Sequence, residues 1–422
     1  MRRQLMPLQK RSTPHTVVIG AGLAGLACAM DLCRAGQRVT LLEASDAVGG
    51  RMRTDRKDGF QLDRGFQVFN TFYPQVQRRL DLRRLRLRPF TPGLMAHTPT
   101  GVVRLTDPTR RPREAGNLLP GRALSARDLA ALAALTAHDT LLPARAVVRG
   151  HDQSTQRALA RWGLSHRAIE HVLRPFLAGV FLEGELETSA RFFHLIYRSM
   201  ARGSLCLPAG GIGSAPAQLA EGLPQGTLRL ETPVAAITDH GVLLADGREV
   251  PATTVVVATD AARAASLRPG LPVPDGRTVT TYYHAADTSP LAEPTLVTDS
   301  TLAVLNTCVL SEVAPEYAPP GTALVSTSVL GDDQPGAEAA VRRRLAELYT
   351  TDTTTWQQIA TYTIAGALPA MRPPWPLSRT TRLTPGRYVC GDYRATGSVQ
   401  GALASGTRAA REVLADSASA QQ

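Results

Sequence analysis

Lysine is nearly missing from these 422 residues: it stands only at positions 10 and 57, and arginine supplies the other 45 of the 47 basic side chains. Cysteine is sparse too. Cys28, Cys33, Cys206, Cys308 and Cys390 are odd in number, scattered and without any CxxC pair, which argues against a disulfide framework or a zinc site and fits a reducing cytoplasm. No uninterrupted apolar run is long enough to span a bilayer. Nor does any pair of carboxylates, Ser/His/Asp set or metal-ligand cluster stand out. His166 and His171, five apart on an expected helix, do not share a face, so no metal is expected. The net charge of +11 invites a nucleic-acid reading, yet no zinc-finger, RNA-recognition or basic-zipper signature accompanies it, and nucleic acid is not expected as a partner.

What the chain does have begins at residues 17–43, VVIGAGLAGLACAMDLCRAGQRVTLLE. A β-branched run (Val17, Val18, Ile19) stops at a glycine turn, a helical pattern follows to Gly36, and a second strand runs from Arg38 to Glu43. Gly20 can take backbone angles closed to other residues, Gly22 lets a pyrophosphate approach the main chain, and Gly25 lets the helix lie close to the strand. N–H groups at the helix start then face the phosphates. Glu43 closes the second strand, where an acidic side chain accepts bonds from ribose hydroxyls. An adenine dinucleotide is the expected ligand; a glycine turn in some other α/β unit is the alternative. Gly49, Gly50 and Arg51 add a loop that can wrap a phosphate and set a fixed charge beside it.

Further along, residues 78–88, RRLDLRRLRLR, read as leucine–arginine alternation toward a strand ending at Pro89, with residues 99–105 as its hairpin partner. Helices are expected from about Ser125 to Leu135 and from Gln153 to Leu173. A Pro-Ala-Gly-Gly turn at 208–211 leads into another helix. Strands follow in LRLETPVAAIT, around an Asp246-Gly247 turn, and in Val255–Ala258, which hands over to Thr259-Asp260. Residues 270–370 are mixed α/β with a helix around Ala337 to Leu348. A strand from Arg387 to Cys390, a glycine loop and a long helix starting near Ser398 follow. The expected class is α/β: a Rossmann-type dinucleotide-binding domain (16–65, 201–270 and 380–416) interleaved with a mixed α/β substrate-binding domain (66–200 and 271–379). Residues 1–15 are expected to be a disordered basic tail and 417–422 a frayed one.

Taken in order, GAGLAG, Glu43, GGR, LDRGFQ, PAGG, TPVAAI, VVVATD, CGD and GSVQGALASG resemble the flavin-containing amine oxidase, phytoene desaturase and protoporphyrinogen oxidase superfamily from Val17 to Leu414. The resemblance implies FAD, with Gly20, Gly22, Ala24 and Gly25 at the pyrophosphate. It sets Glu43 and Ala44 at the adenosine ribose, and Gly49, Gly50 and Arg51 along the phosphates and flavin edge. Gly65, Phe66 and Gln67 would also contact the cofactor, and the backbone of Val234 would meet adenine. Gly391 and Asp392 match the motif that holds pyrophosphate and ribityl chain. Ser398, Val399, Gln400, Gly401 and Ala402 match the helix start beneath the flavin ring, where the helix N-terminus favours the charge of the reduced ring. Noncovalent FAD is expected, because family members with cysteine-linked flavin keep that cysteine well upstream of Cys390, which reads as a packed strand residue.

The amine-oxidising branch typically sets a lysine opposite flavin N5, and no lysine follows Lys57. Phe176, Phe181, Tyr197, Tyr362, Leu368 and Trp375 are candidates for an apolar substrate pocket, with core packing as the alternative for each. Arg64 and Arg372 are further polar candidates, a salt bridge being the alternative. The resulting expectation is an FAD-dependent desaturase or dehydrogenase acting on a carotenoid- or isoprenoid-like lipophilic substrate, with O2 or a quinone as electron acceptor. Amine oxidase and porphyrinogen oxidase are the enzyme alternatives; a non-catalytic binding protein like the Rab GDP-dissociation inhibitors is the alternative of another class. A cytoplasmic location is expected, with peripheral membrane contact through Arg78–Arg88 set against plain arginine-rich composition.

Overall fold

The computed structural model describes residues 15–66, 68–118, 120–121 and 123–419. Residues 1–14, Gln67 and 420–422, on which some of the expectations fall, lie outside the described residues.

Val17 and Val18 are fully buried and Ile19 nearly so, as a strand covered on both faces requires. This strand (His15–Ile19) is central in a six-stranded sheet. Arg38–Leu42 pairs with it on one side and Thr254–Val257 on the other, both parallel. Leu228–Arg229 extends the sheet beyond the first, Arg387–Val389 beyond the second, and Arg382–Thr384 closes that edge antiparallel. Chain order reverses between His15–Ile19 and Thr254–Val257. That crevice, at the carboxyl ends of the strands, is where doubly wound sheets bind ligands. The helices Leu23–Arg34 and Val399–Ser419 pack together over one face. Their contact is close: a Cβ on Gly406 would fall 2.0 Å from the Ala24 carbonyl oxygen.

A second, seven-stranded sheet runs in the order Gln357–Pro369, Gly276–Ala286, Ala323–Leu330, Asn306–Val309, Val297–Asp299, Gly93–Thr98, Gly101–Thr106. It is antiparallel except where Val297–Asp299 meets Gly93–Thr98. A helical group between residues 126 and 202 has its own core, including Leu135, Val172, Leu177, Phe181 and Phe192. The chain is thus an α/β protein with a doubly wound parallel sheet and a largely antiparallel one.

Several local expectations change. Leu87–Pro89 pairs with Leu205–Pro208, not with residues 99–105, which instead form a hairpin with Gly93–Thr98 across the Thr98–Gly101 turn. The leucine–arginine alternation does not form one strand: Pro74–Arg79 is a helix, Leu80 and Leu85 are pinned in the core, Arg78, Arg83, Arg84 and Arg86 are exposed, and the Arg79 side chain is buried against Asp31. The helix beginning at Ala126 runs six residues further than expected, to Leu141, started by a Ser125–Asp128 capping box. The expected 153–173 helix is broken after Arg161, because Gly163 takes φ +88°. Helix Val399–Ser419 continues through 417–419, three residues into the segment expected to fray. His15, expected in the tail, opens the first strand, its ring bonded to the Pro251 carbonyl (2.7 Å) and Thr40 Oγ1 (2.9 Å).

Candidate cofactor and active site

At the crevice, Gly20 takes φ +99°, and a Cβ on Gly25 would lie 1.8 Å from the Gly20 carbonyl oxygen. These two glycines are demanded by the chain itself. Gly22 is not: a Cβ there would meet nothing within 4 Å. Gly22 is the N-cap of Leu23–Arg34, without a side-chain cap and without an acidic residue in the first turn. The helix start therefore opens onto free space with no side chain capping it, an anion site in physical terms. Buried Ala24 faces the C-terminal helix instead.

Glu43, 9% exposed, follows the second strand. Its Oε2 accepts from Ala21 N at 2.6 Å and its Oε1 from Ser45 N at 3.0 Å, so the carboxylate is fixed beside the glycine turn. Ala44 is exposed next to it. The second glycine loop abuts the first: Gly49 N donates to Ala21 O (2.9 Å), and a Cβ on Gly50 would lie 3.5 Å from Gly22 Cα.

Arg51 joins three parts of the chain. Its Nη2 is 2.7 Å from Asp392 Oδ2, and its Nη1 donates to the carbonyls of Ala367 (2.6 Å) and Gly366 (3.3 Å). Asp392, 7% exposed at its side chain, strengthens the hold of Arg51 on its proton. The next residue, Tyr393, carries a buried hydroxyl without a hydrogen-bond partner among the described residues. Gly391 leaves room for this ring, since its Cβ would sit 2.4 Å from Tyr393 Cε1. At the helix start, Ser398 Oγ accepts from Gly401 N (3.1 Å) and Gln400 Oε1 from Gln75 N (2.9 Å). Val399 and Ala402 are half-buried against the nucleotide-helix core. Val234 is buried, and its carbonyl already accepts from Arg263. Gly65 abuts Ile364 of the Gln357–Pro369 strand, and Phe66 N donates to Thr281 Oγ1 (3.3 Å).

The pocket candidates do not converge. Phe181 and Trp375 are buried, and Phe176 and Tyr197 half-buried, in the helical core. The Trp375 ring donates to the Ala395 carbonyl (2.7 Å), and Tyr197 is bonded to Thr136 (2.7 Å). Tyr362 and Leu368 lie on the strand that meets Arg51. Tyr362 Oη donates to Asp55 Oδ2 (2.9 Å), and its ring stands edge-on to Tyr283 at 5.9 Å. Burial, with Asp55 beside it, pushes the Tyr362 hydroxyl up to about 12. Arg64 forms a bidentate pair with Asp55, and Arg372 pairs with Glu187 and Asp275. Lys57 Nζ donates to the Ile359 carbonyl (2.8 Å). Cys390 is fully buried, and burial pushes its thiol up to about 12.

The profile of the flavin-containing amine oxidoreductases matches residues 23–414. The chain belongs to this family. Hydroxyneurosporene desaturase of Cereibacter sphaeroides is 31% identical over 289 residues, 60% of this chain and 57% of that protein. L-amino-acid oxidase of Bungarus fasciatus is 57% identical over only 61 residues, 14% of this chain and 12% of that one. Both matches thus span less than two thirds of the relatives' lengths. In three dimensions the fold is that of cyclohexylamine oxidase from Brevibacterium oxydans, with a TM-score of 0.70 at 16% identity over 96% of this chain and 99% of that one.

As in the rest of the family, the cofactor is a flavin, FAD, and the residues present fit it. The open space over Gly22, the uncapped helix start and the orphaned Tyr393 hydroxyl all call for a polar ligand. Arg51 supplies positive charge and Glu43 an acceptor on either side.

A residue missed in the sequence ties these loops together. Asp63, 2% exposed, accepts from Thr54 Oγ1 (2.6 Å), Ile212 N (2.9 Å) and Tyr317 Oη (2.8 Å), while its carbonyl accepts from Tyr283 Oη (2.7 Å). It fastens the LDRGF segment to the turn after PAGG. Desolvation outweighs the three donors and lifts its carboxyl to about 6. For a raised carboxyl, the stabilising contribution is full below its unfolded pKa near 4 and is lost as pH rises through 6. The loss is on the order of 3 kcal/mol. Asp63→Asn keeps the acceptor but cannot ionise. Its urea midpoint relative to wild type is expected to rise between about pH 4 and about pH 7; a constant difference would refute the assignment.

Proposed function

We propose that the protein oxidises a lipophilic, carotenoid- or isoprenoid-like substrate as a desaturase or dehydrogenase. On this reading the six-stranded unit (16–65, 201–270, 380–416) holds FAD, and residues 66–200 and 271–379 hold the substrate. The observation that carries it is the junction at Arg51, whose bonds to the Gly366 and Ala367 carbonyls and to Asp392 bring the Tyr362-bearing strand onto the cofactor loops. Bound FAD supplies the hydride acceptor, so the chain need only position the substrate and exclude water. The similarity to a hydroxyneurosporene desaturase supports an apolar substrate. Lys57, engaged with the Ile359 carbonyl, offers no amine to the junction, which weighs against amine oxidation. O2 or a quinone would take the electrons onward.

Tyr362 is a positioning residue: held by Asp55 and protonated through the neutral range, it shapes the wall rather than moving a proton. Tyr362→Ala is expected to slow anaerobic flavin reduction by carotenoid precursors in detergent about a hundredfold, within the range that misplacement of a reactant costs. FAD content should stay at wild-type level. Bleaching by a panel of mono- and polyamines, with none by the carotenoid precursors, would overturn the lipophilic reading and leave the flavoenzyme intact.

Contact with membranes would bring the enzyme to such substrates. Of the arginines in 78–88, Arg79 is paired with Asp31, Arg84 with Glu221 and Arg88 with Glu316, whereas Arg78, Arg83 and Arg86 point outward. No described helix is long and apolar enough to cross a bilayer. Flotation with anionic liposomes is expected at low salt and should fade near 0.1 M, where screening acts over about 10 Å. Absence of flotation at low salt excludes this contact.

A further inference from the structure

Away from the flavin junction, two helices of the inserted region bring together residues that sequence spacing keeps 55 positions apart. His138 and Asp139 lie in the last turns of Ala126–Leu141; His194 lies in the first half of Ala190–Arg202. Asp139 is fully buried. His138 Nδ1 stands 2.8 Å from its Oδ1, and His194 Nδ1 stands 2.9 and 2.8 Å from Oδ1 and Oδ2. One nitrogen from each imidazole and a carboxylate oxygen all lie within 4.8 Å of one another.

We propose that His138, Asp139 and His194 form a three-ligand site for a divalent first-row transition metal, zinc in the first place, that clamps the two helices together. The donor set is two neutral nitrogens and one carboxylate, which suits zinc and its neighbours rather than magnesium or calcium. Bond lengths of about 2.0–2.1 Å need only small rotamer shifts from these separations. His138 is 29% exposed at its side chain, leaving a side open for water as fourth ligand. The surroundings orient the ligands. Trp162 stands edge-on to both imidazoles, at 5.1 Å from His138 and 6.4 Å from His194. The nearby cations, Arg198 and Arg202, are turned onto backbone carbonyls, Arg198 onto those of Asp139, Thr140 and Leu142 and Arg202 onto that of Thr140. Among the described residues the Asp139 carboxylate therefore receives the two imidazoles alone. The C-terminal end of the first helix adds a negative dipole that favours a cation.

The test uses tag-free, FAD-loaded protein, stripped with a chelator and dialysed. Titration with zinc by calorimetry is expected to show one equivalent bound, with affinity falling as pH drops because protons compete for the imidazoles. Cobalt(II) in place of zinc should give a visible ligand-field band, and zinc should raise the Tm. His194→Gln should weaken binding by more than the roughly 10–100-fold that loss of an outer-shell partner costs. His138→Gln, at the more exposed of the two imidazoles, should do the same if the first variant folds poorly. Two results would overturn the proposal. One is the absence of a saturable equivalent in the wild type. The other is binding that is equally tight in both variants, which would leave a plain His–Asp–His hydrogen-bond bridge.

Discussion

Replacing Gly22 with valine is expected to give a folded protein that purifies without colour. Gly22 has φ −70° and ψ 177°, an extended conformation that valine adopts readily, and a Cβ there touches nothing of the chain within 4 Å. Loss of an N-cap glycine costs about 1 kcal/mol at most, far from what would unfold a protein of this size. The side chain would instead fill the space where the pyrophosphate has to approach the helix start. A loss of at least about a hundredfold in FAD affinity, roughly 2.8 kcal/mol, is expected. The check is the flavin absorbance of the purified variant, together with the far-UV circular dichroism of the wild-type apoprotein for comparison. A yellow variant with one FAD per chain would show that the cofactor does not lie over Gly22. In the wild type the flavin should leave the precipitated chain on acid denaturation, since Cys390 is buried and strongly protonated.

The second large effect is expected at Arg51. Arg51→Ala strands Asp392, whose side chain is 7% exposed, and removes donors from the Gly366 and Ala367 carbonyls. Breaking a buried ion pair from one side costs about 3–5 kcal/mol. Because Arg51 itself is 35% exposed, the lower end, about 3 kcal/mol, applies. The variant should melt lower even without FAD and bind FAD poorly when it is added. Arg51→Lys separates charge from shape: it retains the cation beside Asp392 but cannot fork to both carbonyls, and an intermediate melting temperature is expected. Equal stability of all three proteins without FAD would mean that the junction contributes nothing to holding the strand Gln357–Pro369 in place.

The nucleotide end was legible in the sequence because its demands are local. A glycine turn, a helix and an acidic strand end within 27 residues leave few arrangements, and Gly20 and Gly25 are constrained by contacts with their own neighbours. The pairing of Leu87–Pro89 was not legible, because its partner, Leu205–Pro208, lies more than a hundred residues on. Aromatic residues were ambiguous for a different reason. Phe181 and Trp375 have the size and polarity of pocket residues, yet a side chain of that kind fills a core equally well, and only the acceptor that Trp375 finds in Ala395 distinguishes the two. Asp63 and the His138–Asp139–His194 group lay hidden because burial and tertiary contact, not spacing, bring their partners together.

The close fit of Gly406 against Ala24 bears on when the protein becomes functional. The helix Leu23–Arg34 is synthesised more than 360 residues before the helix that covers it. The helix that covers it, and the strand Arg387–Val389 that completes the parallel sheet, are synthesised after residue 380. At about 5–20 residues per second, the nascent chain spends tens of seconds with its nucleotide helix uncovered. Until the covering helix is made and docked, Leu26, Leu32 and the other buried residues of Leu23–Arg34 are exposed to chaperones. Expression yield should accordingly depend on how fast the segment from Arg387 to Ser419 is made and docked against Leu23–Arg34.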